Sequence, residues 1–141
     1  MRSDENTVML RIYSKRLYYF FIRLGFLPGK KSRTVKIPTD ILGNRELMNP
    51  TIRGIFDTDG CIFFDRRKSY KSPYPRITLQ SASIPLIKQM RKYLSDNFNL
   101  YVNLMNRDGV RNYIEIYGHE QLQKFLKQIG FSNPRHLNKI K

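Results

Sequence analysis

Apolar positions along the chain change their spacing several times, and each change marks a predicted element. A run with helical spacing covers about 50–58, between the start signal Asn49-Pro50 and the stop signal Gly60. After it, a period of two predicts strands and a period of three to four predicts helices. The predicted elements are strands at 61–67 and 75–82, a helix from the Ser83 N-cap to 97, strands at about 100–106 and 111–117, and a helix at 121–129 closed by Gly130. This αββαββα order predicts an α+β fold with an antiparallel four-stranded sheet.

Alternation within the strands separates an apolar face of the sheet from a polar one. The apolar residues are Ile77, Leu79, Val102, Leu104, Ile114 and Ile116. The outward residues are Phe63, Asp65, Arg67, Arg76, Thr78, Gln80, Tyr101, Asn103, Met105, Tyr113, Glu115 and Tyr117. Many of these side chains can hydrogen bond to base edges in the major groove of DNA. An ordinary solvated sheet face is the alternative.

Two predicted hairpin loops extend this outward face. The first, between the strands at 61–67 and 75–82, carries Lys68, Tyr70 and Lys71 and is suited to phosphate contact. The second contains an Asp-Gly turn at 108–109. Its flanking residues, Arg107 and Arg111, are also expected to contact DNA.

The start of the chain repeats the pattern of its end. Five residues match five others at a constant offset: Leu17, Phe20, Leu24, Gly25 and Phe26 match Leu122, Phe125, Ile129, Gly130 and Phe131. Ile12-Tyr13 echoes Ile116-Tyr117 one residue out of step. We therefore interpret residues 1–45 as the closing strand and helix of a preceding half, ahead of one complete half at 46–141. A simple N-terminal helical extension is the alternative.

Composition favours a nucleic-acid partner. Lys and Arg number 26 against 11 Asp and Glu, which gives a net charge of +15 over 141 residues and attracts polyphosphate. The single cysteine, Cys61, excludes an intramolecular disulfide framework and a cysteine-based zinc site. No apolar run approaches a membrane span, and the first residues lack the apolar core of a signal peptide. A cytoplasmic location is expected.

The end of the predicted helix at 50–58 carries the strongest chemical signal. Asp57 and Asp59 are followed at once by Gly60. A helix C-terminus carries partial negative charge, so an anion there is unfavourable unless a cation compensates it. A divalent metal ion would do so, because hard cations prefer carboxylate and carbonyl oxygens. A turn that uses Asp and Gly for their backbone tolerance is the alternative.

The nine residues Ile52-Arg53-Gly54-Ile55-Phe56-Asp57-Thr58-Asp59-Gly60 resemble the signature of the LAGLIDADG homing endonucleases. They match it at Gly54, Asp57, Asp59 and Gly60, while Arg53 and Thr58 replace alanines. The flanking sequence from 33 to 64 is similar to the archaeal and intein-type branch. The resemblance implies a half-domain whose sheet forms a DNA-binding saddle, and a two-fold homodimer of such halves.

In that family two signature helices pack side by side and place their acidic ends over the DNA minor groove. The resemblance implies that Asp59 and the Thr58 carbonyl bind Mg²⁺, with Mn²⁺ as a possible replacement and Ca²⁺ as a non-productive one. Gly54 would allow the two helices to approach closely. It implies a dimer interface of Gly54, Ile52, Ile55 and Asp57, although Asp57 is expected to brace the helix end rather than bind metal.

Further catalytic groups are carried over less directly. The family has a polar residue near the end of the second strand, where Ser83 lies, with Gln80 close to it. It also has a basic residue near the last helix, for which Arg135, His136 and Lys139 compete, and the repeat offers Lys30 and Lys31. His119 and His136 are otherwise expected at the surface.

The resulting prediction is an intron-encoded endonuclease that cuts both strands of a long, near-palindromic DNA site with Mg²⁺. The rival function is a non-cleaving binder, either an RNA maturase that assists intron splicing or a DNA-binding regulator. Protein splicing is not expected, because Met1 is no splicing nucleophile and the chain lacks a final His-Asn pair.

Overall fold

The computed structural model describes residues 11–26, 28–30, 32–107 and 111–140, without the side chains of Arg107 and Arg111. Ten elements follow in chain order: α1 (Lys15–Arg23), α2 (Thr39–Leu42), α3 (Arg45–Asp59), β1 (Gly60–Asp65), β2 (Tyr74–Ser81), α4 (Ile84–Phe98), β3 (Asn103–Arg107), β4 (Arg111–Tyr117), α5 (His119–Gln128) and α6 (Pro134–Ile140). From α3 to α5 they follow the predicted αββαββα order. No helix in the described ranges is long and apolar enough to cross a membrane.

The four strands form one antiparallel sheet in the order β1-β2-β4-β3. Alternate residues of each central strand are buried, with Ile77, Leu79, Ile114 and Ile116 each about 1% exposed. Helices α3, α4 and α5 pack on this apolar face, so the opposite face is open. Leu104 departs from the prediction, because β3 is an edge strand and leaves its side chain 38% exposed.

Helix α3 begins five residues earlier than the sequence prediction. The Asn44 side chain caps it by accepting hydrogen bonds from the backbone N–H groups of Glu46, at 2.9 Å, and Leu47, at 3.4 Å. Pro50 therefore lies inside the helix, where it removes the bond to the Glu46 carbonyl. Both residues are exposed, which limits that cost. A buried stripe of Met48, Ile52 and Phe56, spaced by four, extends the helix across the proline.

Part of the predicted N-terminal extension belongs to the main core. Ile37 and Ile41 are buried in the same cluster as Met48. The Gln89 side chain holds Ile37 from both sides, since its Oε1 accepts from the Ile37 N–H at 2.8 Å and its Nε2 donates to the Ile37 carbonyl at 3.1 Å. Residues 11–14, expected to resemble a closing strand, form no strand.

Helix α6 was not predicted. The sequence nevertheless holds a signal for it, because Asn133-Pro134 combines a good N-cap residue with proline at the first helical position. The Asn133 Oδ1 atom accepts a hydrogen bond from the Arg135 N–H at 3.0 Å. This helix packs against β1 and so lies beside the end of α3.

Candidate functional site at the end of the signature helix

Asp59 is the last residue of α3, and its side chain is exposed. Its carboxylate makes no hydrogen bond or ion pair with any residue in the described ranges. Gly60 fixes the exit of the chain, because a Cβ atom there would lie 2.5 Å from the Phe56 carbonyl oxygen. The sharp turn into β1 therefore presents a free carboxylate beside the open face of the sheet.

Asp57, by contrast, is occupied. Its carboxylate accepts hydrogen bonds from the backbone N–H groups of Ser132, at 3.0 Å and 3.1 Å, and Asn133, at 3.1 Å. The Asn133 side chain donates in return to the Asp57 carbonyl at 3.0 Å. These bonds join the end of α3 to the start of α6. Asp57 therefore braces the helix end, as the sequence analysis expected.

Arg135 lies at the same helix end. Its Nη2 atom is 3.3 Å from the Thr58 carbonyl oxygen and 3.4 Å from the Gly60 carbonyl oxygen. The guanidinium therefore supplies positive charge to the negative end of the α3 dipole. Arg135 thus offsets part of the negative charge of this helix end through its backbone oxygens, while the Asp59 carboxylate itself keeps no cationic partner among the described residues.

The two departures from the family signature have structural roles. Arg53 donates from Nε to the Ile129 carbonyl at 2.7 Å and so caps the end of α5. The Thr58 hydroxyl donates back to the Gly54 carbonyl at 3.0 Å. Neither replacement therefore changes the free carboxylate of Asp59.

The face of α3 away from the core is made of small or uncharged residues. Leu47, Thr51, Gly54 and Thr58 recur at helical spacing and define what we call the open face of α3. Leu47 is 47% exposed, and no atom of the described residues lies within 4 Å of a Cβ built at Gly54. Ile52, which the sequence placed in a dimer interface, is instead fully buried in the chain's own core, and Ile55 is half-buried against it.

Three of the proposed basic and polar groups have positions that sequence did not predict. Ser83 is fully buried. Its hydroxyl donates to the Val35 carbonyl and accepts from the Leu86 N–H, and so caps α4. It is therefore a structural residue. His136 is also buried, contrary to the expected surface position, and Lys139 donates to the Ile62 carbonyl at 3.1 Å. Lys31 lies outside the described residues.

His136 packs behind Arg135. Its ring lies against Phe131 with centroids 4.7 Å apart, and its Nε2 atom is 3.3 Å from Arg135 Nη2. Burial lowers the pKa of the His136 imidazole, and the adjacent Arg135 charge lowers it further. The neutral ring can thus accept a hydrogen bond from the guanidinium and help to hold it.

An ion-pair network on the open face of the sheet occupies the Arg76 guanidinium, so that Arg76 is not free in this structure to hydrogen bond to DNA bases. Its Nη1 atom is 2.9 Å from Glu115 Oε1, its Nε atom is 3.2 Å from Asp65 Oδ2, and its Nη2 donates to the Tyr70 hydroxyl at 3.1 Å. The Glu115 hydrogen bond raises the pKa of the Arg76 guanidinium. Arg67, which lies just beyond β1, pairs with Asp65 at 2.7 Å and lowers the pKa of that carboxyl.

The rest of the predicted DNA-binding set divides by position. Gln80, Lys68 and Lys71 are exposed, Phe63 is 40% exposed, and Thr78, Asn103 and Tyr113 are partly exposed. Tyr70, Tyr74, Tyr101 and Tyr117 form an aromatic group at the start of β2, which we call the tyrosine group. The Tyr70 and Tyr74 rings stack there with centroids 4.6 Å apart. The side chains of Arg107 and Arg111 and the turn at 108–109 lie outside the described part. The strand register pairs Arg76 with Phe63 and Tyr117, and Asp65 and Glu115 lie diagonally from it, two residues along the neighbouring strands.

Within the described ranges, no three His, Cys, Asp or Glu side chains cluster as a metal site. The end of α3 offers one free carboxylate, Asp59, and one backbone oxygen, that of Thr58. This hard-oxygen donor set fits Mg²⁺.

Comparison with known proteins agrees with this geometry. A family model described as LAGLIDADG-like domain matches residues 46–130. The replication factor C small subunit of Methanocaldococcus jannaschii is 30% identical over 141 residues, an alignment that covers 96% of this chain and 7% of that protein. This chain thus spans only a small part of its curated relative.

Two solved structures of the homing endonuclease I-CvuI share the fold. Each has a TM-score of 0.52, with 17% and 18% identity, and the match covers 64% of this chain and 60% of the other. One holds DNA in the presence of 2 mM Mg, with the DNA not cleaved, and the other holds its target in the presence of 2 mM Ca. Sequence family, sheet topology and signature-helix geometry all agree, and the chain belongs to the LAGLIDADG-like domain family.

Proposed function

We propose that this chain is the DNA-cutting part of a site-specific homing endonuclease that hydrolyses both strands of a duplex with Mg²⁺. The observation that carries the proposal is the free Asp59 carboxylate, held at the end of α3 beside an open sheet face. The net charge of +15 supports duplex DNA as the partner. The relatives' complexes with DNA and divalent cations point the same way.

Asp59 and the Thr58 carbonyl would hold the metal ion. A bound Mg²⁺ would activate water and stabilise the leaving oxygen. The chain's own residues supply the surroundings: Asp57 and Asn133 fix the helix end, and Arg135 brings positive charge toward the region of the phosphate. Gln80, exposed near the same end of the sheet, can donate and accept hydrogen bonds there.

Cleavage is tested with a randomised duplex library, Mg²⁺ and sequencing of the cut ends. Asp59→Asn should abolish cutting while DNA binding, measured by gel shift, is kept or becomes tighter, because a negative charge facing DNA is removed. Asp40→Asn is the matched control, since Asp40 is also exposed but lies in α2. Normal cutting by Asp59→Asn would refute the assignment.

Two-fold assembly is the second element of the proposal. The open face of α3 is uncharged and small at Thr51, Gly54 and Thr58, so two such helices can pack closely and bring two Asp59 residues together. Light scattering of the DNA complex should give twice the 16.8 kDa chain mass for the protein component. Gly54→Leu should abolish the pair, whereas Lys88→Leu, on an exposed position of α4, should not.

The RNA maturase alternative has one observation in its favour. The tyrosine group at the start of β2 presents aromatic rings, and Tyr101 is 65% exposed. Such rings stack on unpaired bases, which duplex DNA does not offer. Competition for the protein between a labelled duplex and single-stranded RNA separates the two. Preferential RNA binding, lost in Tyr101→Ala, would favour the maturase.

A further inference from the structure

Arg135 places a permanent positive charge beside backbone oxygens at the junction of α3 and β1. Its Nη2 atom lies 3.3 Å from the Thr58 oxygen and 3.4 Å from the Gly60 oxygen. A guanidinium stays protonated at all working pH values. The Thr58 oxygen is therefore already bound by a cation from the chain itself.

The backbone of Arg135 is fixed, but its side chain is free to leave. Asp57 and Asn133 anchor the first turn of α6, and Asn133 Oδ1 accepts from the Arg135 N–H at 3.0 Å. The side chain is exposed, and its contacts with the two carbonyl oxygens and with His136 Nε2, at 3.3 Å, are all at or beyond the long end of the hydrogen-bond range. Displacing the guanidinium thus costs little and leaves the helix end in place.

The Thr58 oxygen cannot serve Arg135 and a divalent cation together. Two cations a few ångströms apart repel each other, and the metal ion would also use the adjacent Asp59 carboxylate. We propose that Arg135 is a displaceable positioning residue: it holds the Thr58 carbonyl until a divalent cation binds that carbonyl and Asp59, and then turns outward toward the phosphate. This inference rests on the metal assignment in the proposed function.

The test is a titration of the DNA-free full chain with Mn²⁺, in which electron paramagnetic resonance reports free Mn²⁺. Arg135→Met should bind Mn²⁺ about tenfold more tightly, because a competing and repelling charge is gone. Arg91→Met is the matched control, since Arg91 is also exposed and donates to a backbone carbonyl, that of Val102 at 3.3 Å. It lowers the net charge equally and should leave Mn²⁺ affinity unchanged.

A second readout reports on the side chain itself. In the wild type, Mg²⁺ should shift the Arg135 Nε–H resonance in ¹⁵N-edited NMR spectra, and in Asp59→Asn it should not. Unchanged or weaker Mn²⁺ binding by Arg135→Met, with Asp59→Asn weakened as expected, would overturn the displacement. Equal Mn²⁺ binding by Asp59→Asn and the wild type would instead overturn the metal assignment.

Discussion

Helices α1 and α5 carry the same sequence pattern and share two features at their C-terminal ends, yet their surroundings differ completely. At the end of α1 the Leu24 N–H donates to the Phe20 carbonyl at 3.1 Å, and at the end of α5 Ile129 donates to Phe125 at 2.9 Å. The glycine after each helix has positive φ, +90° at Gly25 and +69° at Gly130. The repeated sequence thus gives one equivalent hydrogen bond and one positive-φ glycine at each helix end, although the Gly25 N–H donates to the Ile22 carbonyl and the Gly130 N–H to the Phe125 carbonyl.

Burial separates the two helices. Phe125 is fully buried between Phe56 and Phe131, with ring centroids 5.0 Å and 5.1 Å away, whereas Phe20 is 53% exposed and meets Phe21 of its own helix. No residue of α1 is buried. The α5 pattern works because a sheet and a signature helix face it. In α1 the pattern has no such cover within the described residues.

Removing the matched phenylalanines should give the largest contrast. Phe125→Ala should lower the free energy of unfolding by about 3–5 kcal/mol, because it leaves a cavity in the core. Phe20→Ala should change it by less than about 0.5 kcal/mol, as expected for an exposed site. Urea denaturation measures both. A loss above about 2 kcal/mol for Phe20→Ala would show that the α1 face is covered in solution.

The segments after the two helices also differ. Beyond α5 the chain continues into α6, held by Asp57, while 28–30 and 32–34 beyond α1 contain no helix. Asp57→Ala should cost about 1–3 kcal/mol, because it leaves the N–H groups of Ser132 and Asn133 without their acceptor. Asp96→Ala, which removes an exposed ion pair with Lys92, should cost less than about 1 kcal/mol. Equal losses from both variants would argue against the clamp.

The same pair of helices shows how far sequence can predict. Local rules were sufficient for element order, for the Ser83 cap and for the motif, because each depends on neighbours in the chain. They failed where a distant partner decides. Ser83 looked available for catalysis until Val35 occupied its hydroxyl, and Arg76 looked like a base reader until Asp65 and Glu115 bound it.

Helix bounds failed for a related reason. Pro50 is a sound start signal on local grounds, but burial of Met48 on the far side of it outweighed one lost hydrogen bond. Asp59 was predictable as a candidate ligand because an exposed, unpaired carboxylate does not depend on a contact with a distant residue. Arg135 was one of several basic candidates, and its contact with this helix end could not be singled out, since it lies on α6, a helix that the sequence analysis did not predict.

His136, on α6, should make the stability of this end of the molecule depend on pH. Its pKa is lowered in the folded state, so the unfolded chain binds a proton more readily. Stability should therefore be lost as pH falls below the ordinary value of 6.5, by at most about 1.4 kcal/mol per pH unit for one group. His136→Gln should flatten that dependence in urea titrations between pH 7 and pH 5, with exposed His119→Gln as control. A profile unchanged by His136→Gln would contradict this assignment.

The two glycines give the finest test of the comparison. Alanine at positive φ is strained by roughly 1 kcal/mol in either helix end. At Gly130 the new Cβ would also lie 3.2 Å from the Leu126 carbonyl oxygen, whereas at Gly25 it would meet only the Pro38 side chain, at 3.5 Å or more. Because α5 is packed in the core, its end cannot unwind to relieve the strain of Gly130→Ala, and the free energy of global unfolding should fall by about 1 kcal/mol. In Gly25→Ala the end of exposed α1 can unwind instead, so global stability should change little while hydrogen exchange at Leu24 becomes faster. Equal global losses would mean that α1 is held as firmly as α5.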